Sequence, residues 1–208
     1  MKRFALILVA MMAIVARPVS SQQPFGAPRQ LQLVEATVLE LQLALRSHLI
    51  TSEQLVQMYL NRIAAYDDAG PMLNSFIHIS EHAPDEARAR DLDRHRGRAH
   101  GPLFGIPVLL KDNIDTAGMP TTAGSVALAG SAPPDNAFIT QKLHEAGAII
   151  LGKATLTEFA NFIAIGMPSG YSSLGGYGLN PYDPRLLPGG DGAGPAAPSG
   201  YTITLNGG

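Results

Sequence analysis

Cysteine and tryptophan are both missing from this chain of 208 residues. Without cysteine there is no disulfide, no lipidated Cys, no thiol nucleophile and no thiolate metal site, so the fold has to rest on packing. Charge is scarce at 15% and nearly balanced, with 15 basic and 17 acidic side chains for a formal net charge of -2. No basic field is present to hold phosphate backbones or anionic lipid, and no nucleic-acid partner is expected. The apolar stretch at residues 4–16 falls short of the roughly 20 residues that cross a bilayer. What remains, 46% hydrophobic residues with 22 Gly and 16 Pro, is a globular composition that excludes collagen-like and disordered chains.

The N-terminus reads as an address. Lys2 and Arg3 precede the apolar stretch, and Val19-Ser20-Ser21 offers small residues for cleavage before Gln22, the pattern of a secretory signal peptide over residues 1–21. A secreted or periplasmic location is therefore expected, with no membrane association of the mature form. Removing residues 1–21 takes away Lys2, Arg3 and Arg17 and no acid, leaving 12 basic against 17 acidic side chains. Residues 22–30, with Pro24, Gly26 and Pro28, read as a linker, and order is expected from about Leu31.

Two capping-box spacings follow, Thr37-Val38-Leu39-Glu40 and Thr51-Ser52-Glu53-Gln54. They predict a helical hairpin whose second helix carries Val56, Tyr59, Leu60 and Ile63 as one apolar stripe, stopped at Asp67-Asp68-Ala69-Gly70. Residues 74–79 read as a short strand, and residues 83–96 as a charged helix with Pro84 near its start and a solvated surface face. Residues 106–110 form a continuous apolar run of the kind found in buried strands. A polar loop at 116–134, a helix at 136–146 closed by Gly147 and a strand at 148–151 come next. Strand, helix, strand predicts an α/β unit with a mostly parallel sheet. Thr155-Leu156-Thr157-Glu158 has the spacing of a third capping box, opening a short helix. Beyond it regular patterning fades, and residues 189–208 contain seven Gly and two Pro with one charge, Asp191. No internal repeat is present.

Several segments imitate known chemistries. His78-Ile79-Ser80-Glu81-His82 formally matches H-x-x-E-H, yet a zinc site of that type needs both imidazoles on one helix face, and His78 ends a strand-like run while Pro84 follows closely. The pair is read as surface polar residues and no metal is expected. Gly192-Ala193-Gly194-Pro195 lacks the strand before it and the helix after it that a dinucleotide fingerprint requires, so no organic cofactor is expected either. Lys111 differs. It leaves the end of an apolar strand and enters Asp112-Asn113-Ile114-Asp115-Thr116, where a sheet presents groups to a site and an apolar wall disfavours the charged form. A desolvated lysine can act as a base, although pairing with Asp112 or Asp115 would keep it charged. Lys153, after Ile149-Ile150-Leu151-Gly152, poses the same question.

Four blocks in order carry a resemblance: Gly101-Pro102-Leu103-Phe104-Gly105-Ile106-Pro107-Val108-Leu109-Leu110-Lys111-Asp112-Asn113-Ile114-Asp115-Thr116, then Met119-Pro120-Thr121-Thr122-Ala123-Gly124-Ser125, then Gly147-Ala148-Ile149-Ile150-Leu151-Gly152-Lys153-Ala154-Thr155, and Asn180-Pro181-Tyr182-Asp183-Pro184-Arg185. Together they resemble the amidase signature family, most of all its secreted or periplasmic bacterial branch, over residues 31–190. The resemblance implies an α/β fold with a mixed sheet flanked by helices, incomplete in this chain, and hydrolysis of a small linear amide. In that family a serine attacks the amide carbonyl, a second serine in a cis peptide relays its proton, and a neutral lysine is the base. Backbone N–H groups just before the nucleophile hold the oxyanion. The residue that matches the base is Lys111.

From Asp191 onward the sequence departs from that pattern. Asp191 stands where the bridging serine is expected and Pro195 where a helix should begin, so the base is present while the bridging hydroxyl is replaced by a carboxylate that would keep Lys111 charged. The nucleophile is expected some two dozen residues further on, beyond Gly208, and Ser199 is a poor substitute. Residues 31–190 are accordingly read as the N-terminal part of an amidase domain and residues 191–208 as a divergent Gly/Pro/Ala-rich tail. On this reading the chain is truncated before the nucleophile and inactive alone. The alternative is a non-catalytic fragment that binds a small amide or a partner through apolar surface. A reading-frame change in the gene would also explain the switch in composition at Asp191.

Overall fold

The computed structural model describes residues 31–163 and 165–182. The readings for residues 1–30 and 191–208, with Asp191 and Ser199 among them, lie outside the described residues, as does the end of the block at 180–185.

Both capping boxes form. Thr37 opens α1 (Val38–Arg46) and Thr51 opens α2 (Ser52–Tyr66), each side chain accepting from the backbone N–H of the third helical residue while Glu40 or Gln54 bonds back. The apolar stripes of the two helices then bury Leu41, Leu45, Leu55, Val56, Tyr59 and Ile63 in one cluster with Ile106, Ile149 and Leu151. Asp67 caps the end of α2 and turns the chain: its carboxylate accepts from the N–H groups of Ser75 (2.6 Å) and Phe76 (3.2 Å), starting β1 (Phe76–Ile79).

The charged helix is α3 (Ala83–His95), seated on α2 through Ala83 and Ala87. Its outer face carries the expected exposed ion pairs, Arg88 with Glu53 and Asp85. The expectation of a merely solvated charge run needs correction on the other side. Asp91 accepts from the N–H groups of Ser52 (2.7 Å) and Glu53 (3.0 Å) at the start of α2. Arg90 and Arg94 lie against the Phe104 ring, and Arg94 also donates to the Phe104 carbonyl.

Among the described residues two further strands join β1 in the main sheet: β2 (Pro107–Lys111) and, after α4 (Phe138–Glu145), β3 (Ile149–Ala154). The turn from α4 into β3 needs Gly147, where φ is +86° and a Cβ would lie 2.8 Å from the Phe104 Cα. The strand order is β1-β3-β2, with β3 parallel to β2 and antiparallel to β1. The sheet is therefore mixed, with α1, α2 and α3 on one face and α4 on the other, where Val108, Leu110, Leu143 and Ile150 pack together.

Past β3 the expected third capping box does not form. Thr155 Oγ1 donates to the Asn74 carbonyl and Thr157 Oγ1 accepts from the Gly170 N–H, so neither caps a helix. The segment Glu158–Asn161 is one irregular 3₁₀ turn, with Phe159, Ala160 and Asn161 all at positive φ. A small hairpin, β4 (Tyr171–Ser172) with β5 (Gly176–Tyr177), follows where no pattern had marked strands.

Candidate active site

In a parallel pair, side chains at matched positions share a face of the sheet. Val108 matches Ile150, but the next pair is Leu109 with Gly152, so Leu151 is an extra residue in β3. A bulge of this kind reverses which face the following residues serve. Leu151 joins the helical-hairpin core, and Lys153, matched to Leu110, comes out on the α4 face instead. Without the bulge the Lys153 ammonium would enter the apolar core beneath α2.

On the α4 face Lys153 is fully buried and meets Asp112, also fully buried, at 3.4 Å. Its Nζ donates to the Pro120 carbonyl (3.1 Å) and Thr121 Oγ1 (2.9 Å). Burial pushes the Lys153 ammonium below the ordinary lysine value, and the charges of Asp112 and Asp115 oppose that shift without cancelling it. The other Asp112 oxygen accepts from the Thr122 N–H (3.1 Å) and hydroxyl. Asp112 also continues the ladder, its N–H on the Ala154 carbonyl and its carbonyl on the Ala123 N–H, which fastens residues 120–123 to the ends of β2 and β3.

Lys111 occupies the last position of β2, matched to Ala154 and thus on the face of the sheet opposite Asp112 and Lys153. It is half-buried, and among the described residues its Nζ has no hydrogen bond or ion pair. The pairing of Lys111 with Asp112 or Asp115 that the sequence left open is absent among the described residues. Lys153, expected just after its strand, lies inside it and is the desolvated lysine of the two.

A second polar knot lies beside the first. Ser125 caps the turn Val126–Leu128, and Glu158 Oε2 accepts from the Ser173 N–H (2.7 Å). The hydroxyls of Ser173 and Ser125 hold the Glu158 carboxyl below the usual carboxylate value, against a smaller effect of burial. Ser173 Oγ in turn accepts from the Val126 N–H (3.1 Å), tying the Ser125 loop to the β4–β5 hairpin. Gly124 makes this approach possible, with φ of +75° and space that would leave an added Cβ 2.8 Å from the Ser172 Cβ. Sequence reasoning missed Asp112, Thr121 and Thr122 as one set around Lys153, and missed Glu158 in the second knot. The only signal was that all of them lie in or next to the blocks that carried the resemblance.

His78 lies on β1 and His82 at the start of α3, so the H-x-x-E-H spacing is not borne by one helix. Among the described residues no group of three or more His, Asp or Glu side chains is placed to hold a metal ion, and none of their helices is long and apolar enough to cross a membrane.

Lys111, the buried Asp112–Lys153 pair and the threonine loop all gather at the carboxyl ends of two parallel strands, the edge at which open α/β sheets build their sites. This defines an α/β protein with a lysine-bearing site at the sheet edge. A family model described as Amidase matches residues 54–205, and the chain belongs to the amidase family. Among its relatives is a probable amidase of Arabidopsis thaliana, 36% identical over 203 residues, covering 96% of this chain and 38% of the relative. A glutamyl-tRNA(Gln) amidotransferase component from Salinispora arenicola is 43% identical over 148 residues, 71% of this chain and 28% of that protein. The peptide amidase of Stenotrophomonas maltophilia superposes with a TM-score of 0.74 at 46% identity, over 76% of this chain and 32% of that one. The chain thus spans about a third of the length of these relatives.

Proposed function

We propose that this chain carries the base-bearing part of a hydrolase for linear carboxylic amides, with Lys111 as the base of a Ser/cis-Ser/Lys triad. The observation that carries the reading is the place of Lys111: the family's lysine block puts it at the carboxyl end of β2, half-buried and without a described partner. A serine hydroxyl is a weak nucleophile at neutral pH and needs a base within hydrogen-bond reach. A neutral lysine reached through a bridging hydroxyl meets that need: its Nζ takes the proton as the serine attacks, and returns it to the leaving amine. In this sequence Asp191 replaces the bridging serine and no nucleophile is recognised, so the 208 residues alone are inactive. Its substrate is a small amide, no metal or organic cofactor takes part, and residues 1–21 direct export.

The test is a graft. Residues 31–190 replace the matching segment of the Stenotrophomonas maltophilia peptide amidase, and turnover of a simple amide is compared with that of the same graft carrying Lys111→Met. Loss of the base is expected to cost about 10²–10⁴-fold, and a graft indifferent to Lys111→Met overturns the assignment. The ungrafted chain should show no turnover, and amide hydrolysis that Lys111→Ala abolishes would overturn its inactivity. A second reading, a non-catalytic binder, draws support from the exposed Phe162, Ile163 and Ile165, since clustered apolar surface marks interaction sites. Binding of an amide or a protein by the ungrafted chain, without turnover, would favour it. Export is checked by N-terminal sequencing of the protein recovered outside the cytoplasm, expected to begin near Gln22.

A further inference from the structure

A carboxylate next in sequence to a lysine base is a hazard, because an opposite charge within about 4–6 Å favours the ammonium form and removes the base. Asp112 directly follows Lys111, and Asp115 stands in the same turn. The sheet separates the neighbours. Lys111 is matched to Ala154 on one face, and Asp112 turns to the other, where Lys153 meets one carboxylate oxygen and Thr122 the second. Lys153 reaches that place only because the extra residue Leu151 shifts the register of β3. Three Lys153 contacts, with Asp112, Pro120 and Thr121, hold the ammonium fully buried.

We propose that Lys153 is a positioning residue for Lys111: by engaging Asp112 on the α4 face, it keeps that carboxylate from pairing with the neighbouring lysine. The inference rests on Lys111 being the base, and it deepens that reading by naming what protects the base. The charged groups concerned are Asp112 and Asp115 in the turn after β2 and Lys153 on β3. Lys153 therefore acts through Asp112.

The experiment needs no turnover, so its failure is separate from failure of the base assignment. Only four lysines are present, Lys2, Lys111, Lys142 and Lys153. The full chain is acylated with a limiting amine-reactive anhydride at fixed pH, and the labelling of Lys111 is read by mass spectrometry against the exposed Lys142. Only the neutral amine reacts, so pairing with a carboxylate slows labelling. Lys153→Met is expected to lower the Lys111:Lys142 ratio about tenfold. Lys153→Met/Asp112→Asn should return it to within about twofold of the unsubstituted chain, as should Asp112→Asn alone. A merely structural role predicts the opposite sign, since loosening the site would expose Lys111 and raise the ratio. An unchanged or raised ratio in Lys153→Met, or no recovery in the double variant, overturns the proposal. If Lys153→Met does not fold, Asp112→Asn decides: a ratio raised several-fold shows that Asp112 already held Lys111 and overturns the proposal, and an unchanged ratio supports it.

Discussion

Lys153 and Asp112 face each other across 3.4 Å with no exposed surface on either side chain, and each is also bonded to the threonine loop. Removing one partner of a buried pair strands the other charge at a cost of about 3–5 kcal/mol, whereas removing both costs much less. Lys153→Met is expected to lose stability on that scale, and Lys153→Met/Asp112→Asn to recover a good part of it. Urea unfolding of the three proteins measures the difference.

The first turn of α2 has its free N–H groups taken up by two helices' worth of side chains: Thr51 accepts from Gln54, and Asp91 of α3 accepts from Ser52 and Glu53. Asp91→Ala removes two charge-assisted bonds at a helix N-terminus, which is worth about 1–2 kcal/mol. Thermal unfolding should show the loss. Asp85→Ala, whose carboxylate is exposed in a surface pair with Arg88, should stay within about 0.5 kcal/mol of the parent.

Acid stability should separate two carboxylates. Glu158 is held below the ordinary value by the Ser173 and Ser125 hydroxyls, so its contribution is present above about pH 4.5 and is lost as pH falls through its lowered folded value. Asp67 has the opposite sign, because burial outweighs its bonds to Ser75 and Phe76 and raises it. The folded state then takes up its proton first, and Asp67 favours folding as pH falls. Between pH 6 and 3, Glu158→Gln should flatten the fall of the denaturant midpoint and Asp67→Asn should steepen it.

Gly124→Ala should combine two penalties, the positive φ and the approach to Ser172, for a loss of about 1–3 kcal/mol. Gly118 has a similar φ of +84° with nothing within 4 Å of an added Cβ, so Gly118→Ala should cost about 1 kcal/mol. The gap between the two melting temperatures reads the clash with Ser172.

The parts of this fold that the sequence announces are those set by local chemistry. Thr37 and Thr51 cap helices because each hydroxyl accepts from the backbone N–H three residues on, while the Glu40 or Gln54 side chain accepts from the threonine N–H, all within one turn. Gly147 ends α4 because its φ is one that residues with a side chain rarely adopt, and an added Cβ would meet Phe104. Thr155 and Thr157 show where such reasoning fails: identical spacing occurs, but Asn74 and Gly170, far away in sequence, take the hydroxyls. The place of Lys111 at the end of a buried strand was legible from the apolar run before it. The role of Lys153 was not, since alternation from Ile149 sends it toward the helical core, and only pairing with β2 reveals the extra residue that turns it round. Asp91 looked like one more surface acid because its partners are the backbone of another helix.

The order of strands in the main sheet constrains the order of events during synthesis. The central strand, β3, is the last of the three to be made, and β1 and β2 each pair with it and not with each other. Until Ala154 has emerged, neither earlier strand has a partner within this sheet, and Ile149 and Leu151 are missing from the apolar cluster on which α1 and α2 pack. Folding therefore waits on long-range contacts, a slow arrangement that leaves strand edges open in the meantime. On a ribosome, residues 31–148 lack their central strand and stay open to any factor that binds unfolded protein until β3 joins them.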